Sequence, residues 1–305
     1  MRLIALFVVL IPFVARADVP RVVTDIPPVH SLVAMVMEGV GEPRLLVPGG
    51  TSPHDFALRP SEAEALAEAD LVILNGGGLA PAAERAAADL ASRARRIDLM
   101  ALDGTLRLDL REGAALESEH AEETHAGTHA EAHDTADPHG WLDPSNAKAW
   151  IAAISAALTE ADPGNAGRYR ANAVAAAAGV DEAAAAAAEA LGPVADRPFL
   201  IAHDSLHYFE AAFGLHAVAA VAASDAAAPG PRRIEAARGA LERSAAPCVF
   251  VEVGEPARLA ERVAEGTGAA VAEIDPLGAR IEPGPALYPA LIERLAADMA
   301  ACLGS

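Results

Sequence analysis

The sequence predicts an α/β chain of two lobes, each with a mostly parallel sheet, joined by one long helix. Three observations carry this. Short apolar runs alternate with helical patterns in both halves, the mark of βα units. Between the halves lies a stretch of nearly pure Ala, Arg, Glu and Asn, opened by Asp162-Pro163 and closed by Gly192-Pro193. The length of 305 residues gives a prior of about two domains at ~150 residues each. Hydrophobic residues at 52 % support a packed chain, and aromatics at only 4 % point to a helix-rich core of modest side chains.

Residues 1–17 read as a cleaved secretory leader. Arg2 precedes an apolar run over residues 3–14, broken at Pro12, and Ala15-Arg16-Ala17 supplies the small-x-small cleavage pattern. The run is shorter than the roughly 20 residues that cross a bilayer. A buried N-terminal strand is the weaker reading, because residues 19–24 already form the first strand. The expected product is soluble and exported. No cysteine lies near the cleavage point, which excludes a lipid anchor on an N-terminal cysteine.

The first lobe, residues 18–161, is expected to hold strands at 19–24, 43–47, 71–74 and 95–98. Helices are expected at 29–40, at 61–69 behind the start signal Pro60-Ser61, and at 80–91. Residues 162–192 then form one helix of about 30 residues, roughly 45 Å long, which stiffens the connection between lobes. In the second lobe, residues 193–305, strands are expected at 199–202, 215–221, 248–253 and 270–274. Helices are expected at 205–213, 231–244, 256–267 and 288–301. Residues 117–137 differ from all of these. They contain His120, His125, His129 and His133 with seven acids and no basic residue, the composition of a solvated loop.

Charge removes one class of partner. Against 43 acidic residues stand 23 basic ones, a net charge of −20; loss of the leader takes Arg2 and Arg16 and brings it to −22. Nucleic acid would be repelled. Two cysteines are too few for a disulfide scaffold or a Cys-type metal site. Export favours a Cys248–Cys302 bridge over two separate buried thiols, pinning the last helix to the strand that starts at Cys248.

The chemistry gathers where chains leave a parallel sheet. His54 lies in Gly49-Gly50-Thr51-Ser52-Pro53-His54-Asp55, after the second strand. His139 lies in Asp137-Pro138-His139-Gly140-Trp141-Leu142-Asp143-Pro144, before a helix. His203 follows the apolar run 199–202, and Asp275 ends the run 270–274. Ligands bind at the carboxyl ends of strands in open α/β sheets, so a cleft between lobes gathers three imidazoles and one carboxylate. That set is a tetrahedral zinc shell; manganese favours more oxygen donors. Asp55, Asp143 and Asp204 are expected as acceptors behind the imidazoles or as helix caps. His30, His207 and His216 receive no ligand role. Gly76-Gly77-Gly78 is read as a tight turn, since no Lys-Ser/Thr follows it as in a phosphate loop.

Four segments together resemble the zinc-binding periplasmic components of ABC transporters, the ZnuA family of metal-specific solute-binding proteins. They are DIPPVHSLVAMVMEGVGEPRLLVPGGTSPHDFALRPSEAEALAEADLVILNG from Asp25, DPHGWLDPSNA from Asp137, AHDSLHYFEAAFGL from Ala202 and EIDPLG from Glu273. The resemblance implies two similar lobes bridged by a long helix, with a metal cleft between them. It implies Zn2+ as transported ligand, held by His54, His139 and His203, with Asp275 at the position of the DPLG aspartate. Relatives that carry manganese have Glu where His203 stands. Some relatives have Glu before the first histidine as a fourth ligand; Pro53 stands here, leaving that position to Asp275 or a water. His120, His125, His129 and His133 occupy the place of an accessory, weaker metal-collecting loop. The pair Cys248 and Cys302 resembles one found in some Gram-negative members. The implied partners are an inner-membrane ABC permease and its ATPase subunits. The protein is then a periplasmic monomer and no enzyme; the rivals are a Mn2+ or Fe2+ carrier of the same family and a zinc hydrolase using Asp275 as base.

Overall fold

Two four-stranded, all-parallel sheets organise the chain. The computed structural model describes residues 19–111, 116, 136–222 and 229–305; the expected leader and the four loop histidines His120, His125, His129 and His133 lie outside them. In the first sheet β1 (Val22–Thr24), β2 (Arg44–Leu45), β3 (Leu71–Leu74) and β4 (Arg95–Asp98) stand in the order β2-β1-β3-β4. The helices α1 (Pro27–Met37), α2 (Pro60–Glu68) and α3 (Pro81–Leu90) connect them. After α4 (Pro144–Ala161) and α5 (Ala166–Leu191) the second sheet repeats this order as β6-β5-β7-β8. Its strands are β5 (Phe199–His203), β6 (Ala217–Ala222), β7 (Cys248–Glu252) and β8 (Ala270–Ile274). The helices α6 (His207–Phe213), α7 (Pro231–Ser244), α8 (Arg258–Ala264) and α9 (Leu287–Leu303) complete the lobe.

Strands buried on both faces explain the continuous apolar runs. Val22, Leu71 and Ile73 point into a core shared by both lobes, while Val23, Val72 and Leu74 point into a separate cluster under α2 and α3. The second sheet does the same, with Phe199, Ile201 and Phe250 inward and Leu200, Val249 and Val251 toward α7 and α8. The shared core runs through α1, α4, α5 and α9, so the lobes are packed on one body of side chains.

The long helix is shorter than expected. Pro163–Asn165 forms a separate 3-10 turn, because Asp162 accepts from Asn165 N at 3.3 Å, Asn165 Nδ2 at 2.6 Å and Tyr169 Oη at 3.0 Å. Helix α5 then runs for 26 residues, roughly 39 Å. Tyr169, Ala176, Val180, Ala183, Ala187 and Leu191 bury one face against its neighbours α1, α4 and α9. Asn172 Nδ2 caps the end of α1 through Val36 O at 3.0 Å and Glu38 O at 2.9 Å. Other ends moved for equally local reasons. Strand β1 starts at Val22 because Pro20 has no amide to donate and Arg21 N goes to Asp70 Oδ2 at 2.8 Å. Helix α1 starts early, on Pro27, a residue suited to the first helical position, and stops before Gly39 at φ 70°.

The sulfurs of Cys248 and Cys302 are bonded, tying the start of β7 to the last turn of α9.

Asp25, at the end of β1, is wholly buried and accepts from Ile26 N and Asn75 N, each at 2.8 Å. Burial pushes its carboxyl up to about 7, against those amide bonds. A carboxyl raised in the folded state costs nothing below about pH 4, where the unfolded chain is protonated too. The cost grows as pH climbs toward 7 and is constant above. Asp25→Asn is therefore expected to lower stability overall yet flatten its fall between pH 5 and 8 by on the order of 2–3 kcal/mol. Urea midpoints across that range check this; an unchanged slope contradicts it.

Candidate metal centre

His54, His139 and His203 meet between the lobes. Each offers a ring nitrogen within 4.8 Å of the other two, and among the described residues this is the group of His, Cys, Asp and Glu with metal-binding geometry. The ring centroids are 6.3 Å apart for His54 and His139, 6.0 Å for His54 and His203, and 5.1 Å for His139 and His203. A tetrahedral ion with bonds near 2.0–2.1 Å sets nitrogen donors roughly 3.3 Å apart, so a small inward shift completes the shell.

The three histidines arrive by different routes. His203 is the last residue of β5, next to β7 in the sheet. His139 begins the 3-10 turn Gly140–Leu142, which leads into α4. His54 stands half-buried on the loop between β2 and α2. His139 and His203 are buried, 5 % and 7 % exposed.

Those two imidazoles are braced from behind. His139 Nδ1 lies 2.6 Å from Asp137 Oδ1, which also accepts His139 N at 2.9 Å. His203 Nδ1 lies 3.0 Å from Glu252 Oε1, which takes Ser205 Oγ at 2.5 Å as well. An ionised carboxylate only accepts, so each Nδ1 carries the proton and the lone pair sits on Nε2. Burial works to raise the Glu252 carboxyl, but His203 and Ser205 bonded to it, with His139 nearby, outweigh burial and hold it at about 2. Removing such a partner costs about 10–100-fold in metal affinity. Glu252→Gln is expected to weaken metal binding by that factor while leaving the metal-free thermal midpoint within a few degrees. Competition against a chelator measures the first, and wild-type affinity in the variant contradicts the role.

Asp275 lines the same cavity, together with Trp141, Glu252 and Pro276. Its Oδ1 accepts Ala279 N at 2.8 Å and its Oδ2 accepts Arg280 N at 2.9 Å. It is outside the group of three converging nitrogens.

Of the three aspartates expected as acceptors behind the imidazoles or as helix caps, one is a cap. Asp143 caps α4, taking Ser145 N at 2.6 Å. Asp204 is bound by Arg111, whose guanidinium also holds Glu210. Asp55 is exposed. Asp137 and Glu252 do the bracing instead. Their signals in the sequence are an acid two residues before a ligand histidine, and an acid ending the apolar strand Cys248–Glu252. His30 is buried with Nε2 3.1 Å from Pro43 O, and His207, which is not among the residues lining the cavity, stands 3.7 Å from Asp137 Oδ2.

The cavity lies over a stitched floor. Trp141 Nε1 donates to Pro276 O at 2.8 Å, and Tyr288 Oη donates to Trp141 O at 2.8 Å. Ser31 Oγ accepts Tyr288 N at 2.9 Å. These bonds cross from one lobe to the other directly beside His139 and Asp275.

Comparison with known proteins agrees with this architecture. The chain is 40 % identical over 325 residues to the high-affinity zinc uptake system protein ZnuA of Paracoccus denitrificans (strain Pd 1222), covering 95 % of this chain and 94 % of that one. It is 35 % identical over 307 residues to the protein of the same description from Brucella abortus (strain 2308), covering 92 % and 91 %. A solved crystal structure of ZnuA superposes with a TM-score of 0.77 at 23 % identity, over 94 % of this chain and 100 % of that one, a likeness of fold. The model of the family described as "Zinc-uptake complex component A periplasmic" matches residues 22–302. The chain belongs to that family.

Proposed function

We propose that this protein captures Zn2+ in the periplasm and delivers it to an inner-membrane ABC permease with its ATPase subunits. The observation that carries the reading is the convergence of three imidazoles, two of them already fixed by carboxylates in the tautomer that binds metal. His54, His139 and His203 supply three nitrogens. Asp275 takes the fourth position, since each oxygen of a carboxylate keeps a second lone pair after accepting one amide. Three nitrogen donors favour zinc over manganese or calcium.

The cavity, about 160 Å3, is smaller than the sites of organic ligands, which run from about 300 Å3 upward. That favours carriage over hydrolysis of a substrate. The shared core and the bonds across the floor favour small lobe movements, with release following disturbance of ligands from one lobe when the protein docks. In this account residues 1–17 are the leader, 18–161 and 193–305 the two lobes of a monomer, and 162–192 the connecting helix. His120, His125, His129 and His133 gather further zinc weakly near the cleft.

Calorimetric titration of the mature protein tests this. One tight Zn2+ per chain is expected, resistant to excess Mn2+, with weaker equivalents that vanish when residues 117–136 are deleted. Equal preference for Mn2+, or an unchanged total after deletion, overturns the corresponding part.

A further inference from the structure

His54 comes in on the loop of residues 48–54, and that loop meets the other lobe main chain to main chain. A β-carbon at Gly49 would stand 3.0 Å from Ala279 Cα and 3.3 Å from Ala279 O. Those are atoms of a tied turn, because Asp275 accepts the amides of Ala279 and Arg280. The turn therefore cannot yield as the tip of a side chain would. Gly49 itself has a φ outside the left-handed region, so its backbone conformation suits any residue; only the approach of Ala279 demands glycine. Gly50 is the opposite case, with φ +79° and nothing within 4 Å of a β-carbon. On the loop's other side, a β-carbon at Gly254 would lie 3.8 Å from Gly50 O. Gly50 and His54, Gly254 and Ala279 all line the metal cavity.

We infer that Gly49 is the positioning residue that seats the His54 loop on the Asp275 turn, and that this contact sets how firmly the third imidazole stays on the ion. The inference rests on the proposed role of His54 as ligand. A side chain at position 49 props the loop away from Ala279, and His54 withdraws with it. The ion, still met by His139 and His203, is captured at nearly the same rate but escapes faster.

The test is a double-mutant cycle with Gly49→Val and His54→Ala, singly and together, in the full mature chain. Zn2+ release into excess chelator is followed by stopped flow, and affinity by competition. Gly49→Val is expected to speed release at least about tenfold with association changed less than about threefold. Gly49→Ala should fall between it and the wild type, and Gly49→Val should add nothing in the His54→Ala background. Metal-free thermal midpoints show whether the variants fold; should valine prevent folding, alanine carries the same cycle. Unchanged release in both position-49 variants, or an equal loss with His54 already removed, overturns the seating role. Wild-type affinity in His54→Ala alone overturns the ligand assignment, and the seating role with it.

Discussion

Replacing His203 by alanine is expected to raise the Kd for Zn2+ about a hundredfold to a thousandfold. Closed zinc sites carry an apparent binding free energy of about 10–16 kcal/mol over four ligands, or roughly 2.5–4 kcal/mol for each. At 1.4 kcal/mol per tenfold, one lost imidazole costs about two to three decades. His203 is the most exacting choice, because its loss also takes from Glu252 the ring nitrogen 3.0 Å away and leaves that carboxylate with the Ser205 hydroxyl and the more distant His139. Competition titration against a chelator of known affinity measures the change. An affinity within threefold of wild type contradicts the ligand role. Binding should also weaken toward acidic pH, because each imidazole must be neutral to bind.

The largest effect on stability is expected at Cys248 and Cys302. The bridge joins residues 54 apart, and on a chain-entropy basis closing such a loop contributes about 4 kcal/mol. It ties β7, whose far end carries Glu252, to α9, whose first turn carries Tyr288 of the cleft floor. The double variant Cys248→Ala/Cys302→Ala should therefore melt roughly 10 °C lower. Its zinc site should stay intact at low temperature, since both sulfurs lie at the opposite end of β7 from Glu252. Calorimetry of metal-free protein reads the first expectation. An unchanged midpoint contradicts the entropic account, and lost zinc binding in the folded variant contradicts the separation of the two effects.

Much of this was legible in the sequence because the signals are local. Residues 71–74, 95–98 and 270–274 are short runs bounded by turn residues, and the strands β3, β4 and β8 occupy them. Pro231 opens α7 where it was expected, and the helix ends at Ser244. His54 and His203 stood out because each follows an apolar run and His139 because it precedes a helix, and three such positions fill one side of a metal shell. What stayed hidden depends on the order of strands. Glu252 reaches His203 because β7 lies beside β5, a pairing 49 residues apart that no local pattern specifies. Asp204 was expected behind an imidazole or as a helix cap, but Arg111, 93 residues earlier, claims it. Gly49 meets Ala279 only once both lobes are packed on their common core. Helix α5 lost its first residues to Asp162, whose carboxylate prefers the turn it caps.

Zinc-edge X-ray absorption of the protein loaded with one equivalent of Zn2+ tests the convergence of the three rings most directly. Three imidazole nitrogens and one oxygen donor at about 2.0–2.1 Å are expected, falling to two imidazoles in His203→Ala. A wild-type spectrum with fewer than three imidazoles would mean that His54, His139 and His203 do not share one ion.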